Sequence, residues 1–165
     1  DHVTNDLAVG LKLTQSRAER LKLDHGHAIV DPRQVNRTVN FSSDVGLDDK
    51  QVSAGHLYQI MNARLSELFE LIRADLERNK LIHRINGGIL LCGGGARTPQ
   101  IDILAREVFE LDILSNTEYD TLESKRVMSQ PEFVTAMGLV RYGARKLKAQ
   151  GSNKRGLFGW LTGNY

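Results

Sequence analysis

One stretch restricts this chain more than any other: Ile89-Leu-Leu-Cys-Gly-Gly-Gly-Ala-Arg-Thr-Pro-Gln-Ile101. Four apolar residues too hydrophobic for an exposed strand run into three consecutive glycines. A helical pattern then follows from about Thr98 to Phe109. The pattern reads as a buried, parallel strand, a tight turn and a helix. Such a turn belongs to an α/β fold. Glycines let a ligand approach the backbone, and a helix start offers free N–H groups. A nucleotide fits that cradle. A plain strand–helix turn that needs small residues for packing fits it equally well. The spacing fails the dinucleotide fingerprint at Thr98, and no Gly-Lys-Ser/Thr follows to make a P-loop.

The remaining elements fall around this unit. Val3, Leu7 and Leu11 predict a helix over 3–12, with Thr4 or Asn5 as cap. A second helix is expected over Arg17–Leu23, with Ser16 and Glu19 at capping-box spacing and Gly26 as a left-handed stop. His27–Val30 and Gln34–Phe41 read as strands separated by the Asp31-Pro32 turn, and Ser42–Asp49 as a loop. Leu57, Met61, Leu65, Leu68, Ile72 and Leu76 form one stripe along a helix over Ser53–Asn79. Leu111–Leu114 is a further strand candidate, and 115–130 a long loop. Pro131 opens a last helix to about Ala149, and Gln150–Asn153 reads as a polar linker before a short aromatic tail. One parallel strand pair makes a poor sheet, so its other strands are expected upstream, outside these 165 residues.

Charge is unevenly placed. Net charge is +2, yet no acidic residue occurs from Phe133 to Tyr165, where six Lys and Arg fall. A basic end suits an anionic surface, membrane or nucleic acid. Aromatics are sparse and cluster only in the tail, which speaks against nucleic acid. Leu157, Phe158, Trp160 and Leu161 share a side if helical, behind Lys154 and Arg155, and suit a membrane interface. A disordered end, or a strip packed back on the body, is the bland alternative. No leader or membrane-spanning run is read in the chain. The single Cys92 and five scattered His exclude a disulfide within the chain and offer no zinc pattern.

Other candidates are weaker taken alone. Glu19 and Lys22 share a helix face and suit a ribose and an adenine edge, or else a solvated ion pair. Arg64 and Glu67 share a face of the long helix, with Lys50 ahead of it, and suit an acidic-apolar peptide or an ordinary charged surface. No catalytic arrangement is legible.

Together these features resemble the superfamily of actin, sugar kinases and heat-shock-chaperone ATPases, and within it the FtsA family of bacterial cell division. The resemblance rests on Asp1-His-Val-Thr-Asn-Asp-Leu-Ala8, Ala18-Glu-Arg-Leu-Lys22 followed by Gly26, Ala63-Arg64 with Glu67, the glycine loop, and Pro131-Glu-Phe-Val-Thr-Ala-Met-Gly-Leu-Val-Arg-Tyr-Gly143. It implies an actin-like, ribonuclease-H-like α/β fold. Residues 1–84 would be the small outer α+β subdomain of the second lobe, 85–149 the end of its inner nucleotide-binding part, and 150–165 a linker and membrane-targeting tail. It implies ATP with Mg2+ in the complete protein, held here by Glu19, Lys22, Gly93, Gly94, Gly95 and Arg97. It also implies a pocket for the C-terminal tail of FtsZ at Lys50, Arg64 and Glu67, and an anchor at Leu157, Phe158, Trp160 and Leu161. Actin-like filaments and a place on the cytoplasmic side of the inner membrane, at the division site, follow. The family's phosphate loops and first lobe would lie outside this sequence, leaving weak ATPase activity at most. A type IV pilus assembly relative and a chaperone-type or sugar-kinase fragment are the rival readings.

Overall fold

The computed structural model describes residues 1–41, 50–114 and 130–161. Its contacts divide the chain into Asp1–Ser115 and Asn116–Tyr165. In the first unit, helix α1 (His2–Gly10) is followed by α2 (Gln15–His25). Strands β1 (Thr38–Phe41) and β2 (Lys50–Ser53) pair antiparallel, with Val39 opposite Val52. Helix α3 (Ala54–Arg78) leaves β2 directly, capped by the Ser53 hydroxyl, which accepts from His56 N–H at 3.4 Å. A cap at this point satisfies one of the orphan amides and fixes where the helix starts.

Helix α1 starts earlier than its apolar spacing indicates, with Asp1 at the cap position. Thr4 is therefore interior, and caps nothing. It lies on the face of Leu7, Ala8 and Leu11, all buried against Ala18 and Leu21 of α2 and Leu57 and Met61 of α3. Neither does Ser16 cap α2; Thr14 occupies that position and makes no side-chain cap bond. Gly26 ends α2 with extended backbone, φ −69°, rather than a left-handed turn. Close approach explains this glycine: a Cβ would lie 2.3 Å from the Lys22 carbonyl oxygen and 2.8 Å from Met61 Sδ.

His27–Val30 is irregular rather than a strand. Its Ala28 N–H bonds the carbonyl of Pro99, and the Asn62 amide donates to the Ala28 carbonyl at 2.8 Å. Those side-chain and loop partners satisfy the backbone without a neighbouring strand. Turn residues precede β1, so only the end of the expected Gln34–Phe41 strand is paired. The expected loop at 42–49 lies outside the described residues.

Helix α3 carries two packing faces. Leu57, Tyr58 and Met61 close the core against α1 and α2. Further along, Phe69 and Leu76 meet helix α4 (Ile101–Phe109), with the Phe69 and Phe109 rings 5.4 Å apart. Leu68 and Ile72, expected in one buried stripe, are exposed instead. The contact partner changes along the helix, and the buried face turns with it.

The glycine-rich unit forms in reduced shape. Ile89 and Ile113 make one parallel bridge, with Ile89 N–H bonding the Asp112 carbonyl and Leu114 N–H the Ile89 carbonyl, both 2.8 Å. The sense is parallel as expected. The segment is not buried, however: Ile89, Leu90 and Leu91 are half-exposed and Cys92 is exposed. A lone bridge cannot cover both faces of a strand. After it, Gly94–Arg97 turns as a short 3-10 helix before α4, which begins at Ile101 rather than Thr98.

In the second unit, Pro131–Phe133 makes a 3-10 turn into helix α5 (Val134–Leu161). The backbone stays helical through 150–153, so the polar linker expected there is part of the helix. No proline interrupts this stretch, and glycines weaken a helix without breaking its hydrogen-bond ladder.

Candidate functional site

Helix α2 and the glycine turn line one cavity of about 390 Å³. Its wall is Glu19, Lys22 and Leu23 from α2, then Gly94, Gly95, Arg97, Thr98 and Pro99. Two motifs separated by some seventy residues in sequence thus face each other. Gly93, the sixth expected residue, stands at the hinge of the turn with φ +91°, where a side chain would be strained.

Gly94 and Gly95 have a different reason to be small. A Cβ built on either meets nothing within 4 Å. Packing does not require glycine at these positions, so the packing explanation of the Gly-Gly-Gly run fails there. What remains is bare backbone bordering an open cavity.

Polar chemistry sits at the α2 side. Lys22 Nζ donates to Glu19 Oε2 at 2.7 Å and to the Thr4 hydroxyl at 3.0 Å. That hydroxyl donates in turn to Glu19 Oε2. The Lys22 ammonium first, and the Thr4 hydroxyl second, hold the Glu19 carboxyl below its ordinary range. Glu19 is thus no capping acid. Leu23 stays 72% exposed and adds an apolar wall. Sequence reasoning missed Thr4, although it lies on the i, i+3, i+4, i+7 face shared with Leu7, Ala8 and Leu11.

A second recess of about 220 Å³ is lined by His2, Arg64, Glu67, Leu68 and Leu71. Arg64 and Glu67 are joined at 2.6 Å, and Arg64 also binds Asp6 through two nitrogens. Lys50 lies in β2, but its side chain is outside the described residues, as are those of Leu157, Phe158, Trp160 and Leu161 in α5. Among the described residues no group of three or more His, Cys, Asp or Glu could hold a metal ion. No helix among them is long and apolar enough to cross a membrane.

The family model for cell division protein FtsA matches residues 1–138. The chain belongs to the FtsA family. FtsA of Pseudomonas aeruginosa is 29% identical over 146 residues, covering 88% of this chain and 35% of that protein. FtsA of Rhizobium meliloti is 30% identical over 170 residues, covering 99% and 38%, and FtsA of Bacillus subtilis 28% over 152 residues, covering 92% and 33%. The chain thus spans about a third of the length of these relatives. The matches favour FtsA over the pilus-assembly and chaperone-type readings.

Among solved structures, MreB5 of Spiroplasma citri bound to AMPPNP aligns with a TM-score of 0.55 at 21% identity, over 86% of this chain and 45% of that one. Its ADP-bound form gives 0.54 at 20%, over 78% and 42%. The fold of this FtsA-family chain is actin-like α/β, as its sequence implies.

Proposed function

We propose that this chain is the C-terminal part of the second lobe of an FtsA protein that binds ATP and tethers FtsZ to the cytoplasmic face of the bacterial inner membrane at the division site. The observation that carries the nucleotide reading is the cavity shared by Glu19, Lys22, Gly94, Gly95 and Arg97. Its bare glycine backbone leaves room for a phosphate or sugar to approach, and Lys22 supplies positive charge. Glu19 and Lys22 hold the ribose and adenine edge, Leu23 lies against the base, and Arg97 closes over it. Bound ATP brings a hydrolysable phosphoanhydride, while these residues bind and orient its adenosine end. The Mg2+ that accompanies ATP has no ligand cluster among the described residues. The MreB5 structures hold ADP and AMPPNP, which supports the same ligand class here.

Residues 1–84 serve as the outer subdomain and 85–149 as the inner one; α3 packs on α1 and α2 at its start and on α4 further along. Lys50, Arg64 and Glu67 receive the FtsZ C-terminal tail beside the exposed Leu68 and Leu71. The end of α5 is the membrane contact, and the complete protein self-associates into actin-like filaments.

Calorimetric titration of the intact protein with ATP tests the nucleotide reading. Glu19→Gln and Lys22→Met are expected to weaken binding at least about fivefold, the loss of one charge-assisted contact each. Affinity that neither substitution changes would overturn it.

A further inference from the structure

We propose that Thr4 is a positioning residue for the sugar end of the cavity, and that through Glu19 and Lys22 it sets the discrimination between ribose and deoxyribose nucleotides. This rests on the reading of the cavity as a nucleotide site.

Thr4 is the polar residue buried in the described core, 6% exposed. Burial without partners would destabilise a hydroxyl, and here both its capacities are used. It donates to Glu19 Oε2 and accepts from Lys22 Nζ at 3.0 Å, while Lys22 donates to the same Oε2 at 2.7 Å. Three side chains from two helices close a ring. No residue outside Ser, Thr and Tyr has an uncharged hydroxyl for both roles, and Tyr is too long for the gap between α1 and α2.

The ring changes what the pair can do. An i, i+3 Glu–Lys pair on a helix surface ordinarily wanders among rotamers, and holding it costs side-chain entropy. The Thr4 hydroxyl comes from a branched side chain with restricted χ1. It pins both partners from the core side. Both described bonds to Glu19 end on Oε2, which leaves Oε1 outside the ring on a residue that lines the cavity. Lys22 has three N–H donors and spends two in the ring. One carboxylate oxygen and one ammonium proton are thereby fixed side by side. Vicinal hydroxyls of a ribose match that set, one donating to Oε1 and the other accepting from Nζ. A deoxy sugar leaves one of the two without that partner, so the fixed pair holds the ribose form more tightly than the deoxy form.

The test measures affinities for ATP and 2′-deoxy-ATP in the intact protein, for wild type, Thr4→Val, Thr4→Ala and Thr4→Ser. Wild type is expected to prefer ATP. Thr4→Val, nearly isosteric, is expected to lose about tenfold for ATP and less than about twofold for 2′-deoxy-ATP, so the preference collapses. Thr4→Ser restores it, since the hydroxyl returns. Thr4→Ala gives the same readout where Val does not fold. Equal weakening of both nucleotides would reduce Thr4 to a structural residue and overturn the proposal, as would an unchanged preference. Wild type that binds ATP but ignores the sugar defeats the positioning role alone. Wild type that binds neither nucleotide defeats the nucleotide reading itself, and the proposal with it.

Discussion

Arg64 on α3 grips Asp6 on α1 with two guanidinium nitrogens, Nη2 lying 3.0 Å from Oδ1 while Nε bonds Oδ2. The pair joins positions 58 apart in sequence. In the recess proposed for the FtsZ tail this cation is already paired, so an acidic peptide would compete with Asp6 for Arg64. Asp6→Asn is expected to tighten binding of an FtsZ C-terminal tail peptide about threefold, and Arg64→Ala to weaken it about tenfold, by fluorescence anisotropy. Peptide affinity indifferent to Arg64→Ala would show that this recess does not receive the peptide.

Acid should act on the same contacts. Asp6 lies below its ordinary value of 3.8, chiefly through the Arg64 hydrogen bond, and Glu19 below 4.5, chiefly through Lys22. A depressed carboxyl stabilises the fold fully above its unfolded value, and that contribution is lost as pH falls through the folded one. The thermal midpoint should therefore drop on acidification below about pH 4.5. Asp6→Asn with Glu19→Gln is expected to be less stable near neutrality and flatter on the acid limb. Parallel curves would contradict the assigned ion pairs.

The glycines separate folding from binding. Gly26→Ala places a Cβ 2.3 Å from the Lys22 carbonyl, a backbone clash expected to cost about 1–3 kcal/mol in chemical denaturation. Gly93→Ala carries strain of about 1 kcal/mol from its positive φ. Gly94→Ala and Gly95→Ala meet open space and should stay within about 0.5 kcal/mol of wild type while weakening ATP.

If the end of α5 is the membrane contact proposed above, Trp160→Glu or removal of 157–165 is expected to cut cosedimentation with anionic vesicles at least about fivefold, through lost burial of apolar side chains. Unchanged sedimentation would overturn the proposed tail anchor.

Helix spacing was legible in this sequence wherever one partner covers one face, as for Leu7, Leu11, Leu57 and Met61. It misled where α3 changes partner, leaving Leu68 and Ile72 exposed. The Ile89–Cys92 run announced a buried parallel strand, but a strand needs neighbours, and the described residues supply one bridge at Ile113. Glu19, Lys22 and the glycines stood out through the family resemblance, since by type and spacing the pair reads equally as a solvated ion pair and the glycines as a packing turn; the structure brings Glu19, Lys22, Gly94 and Gly95 to one cavity. Asp6 was not, since nothing local to α1 signals a guanidinium arriving from α3. Thr4 was hidden by a helix start one turn earlier than its cap-like position implied.

The adenosine end of ATP is proposed to sit in the space between α2 and the glycine turn. A crystal structure of the intact protein with AMPPNP is expected to show density for the sugar against Glu19 and Lys22, with the Gly94-Gly95 backbone alongside. Adenosine bound elsewhere, with this cavity filled by solvent, would contradict it.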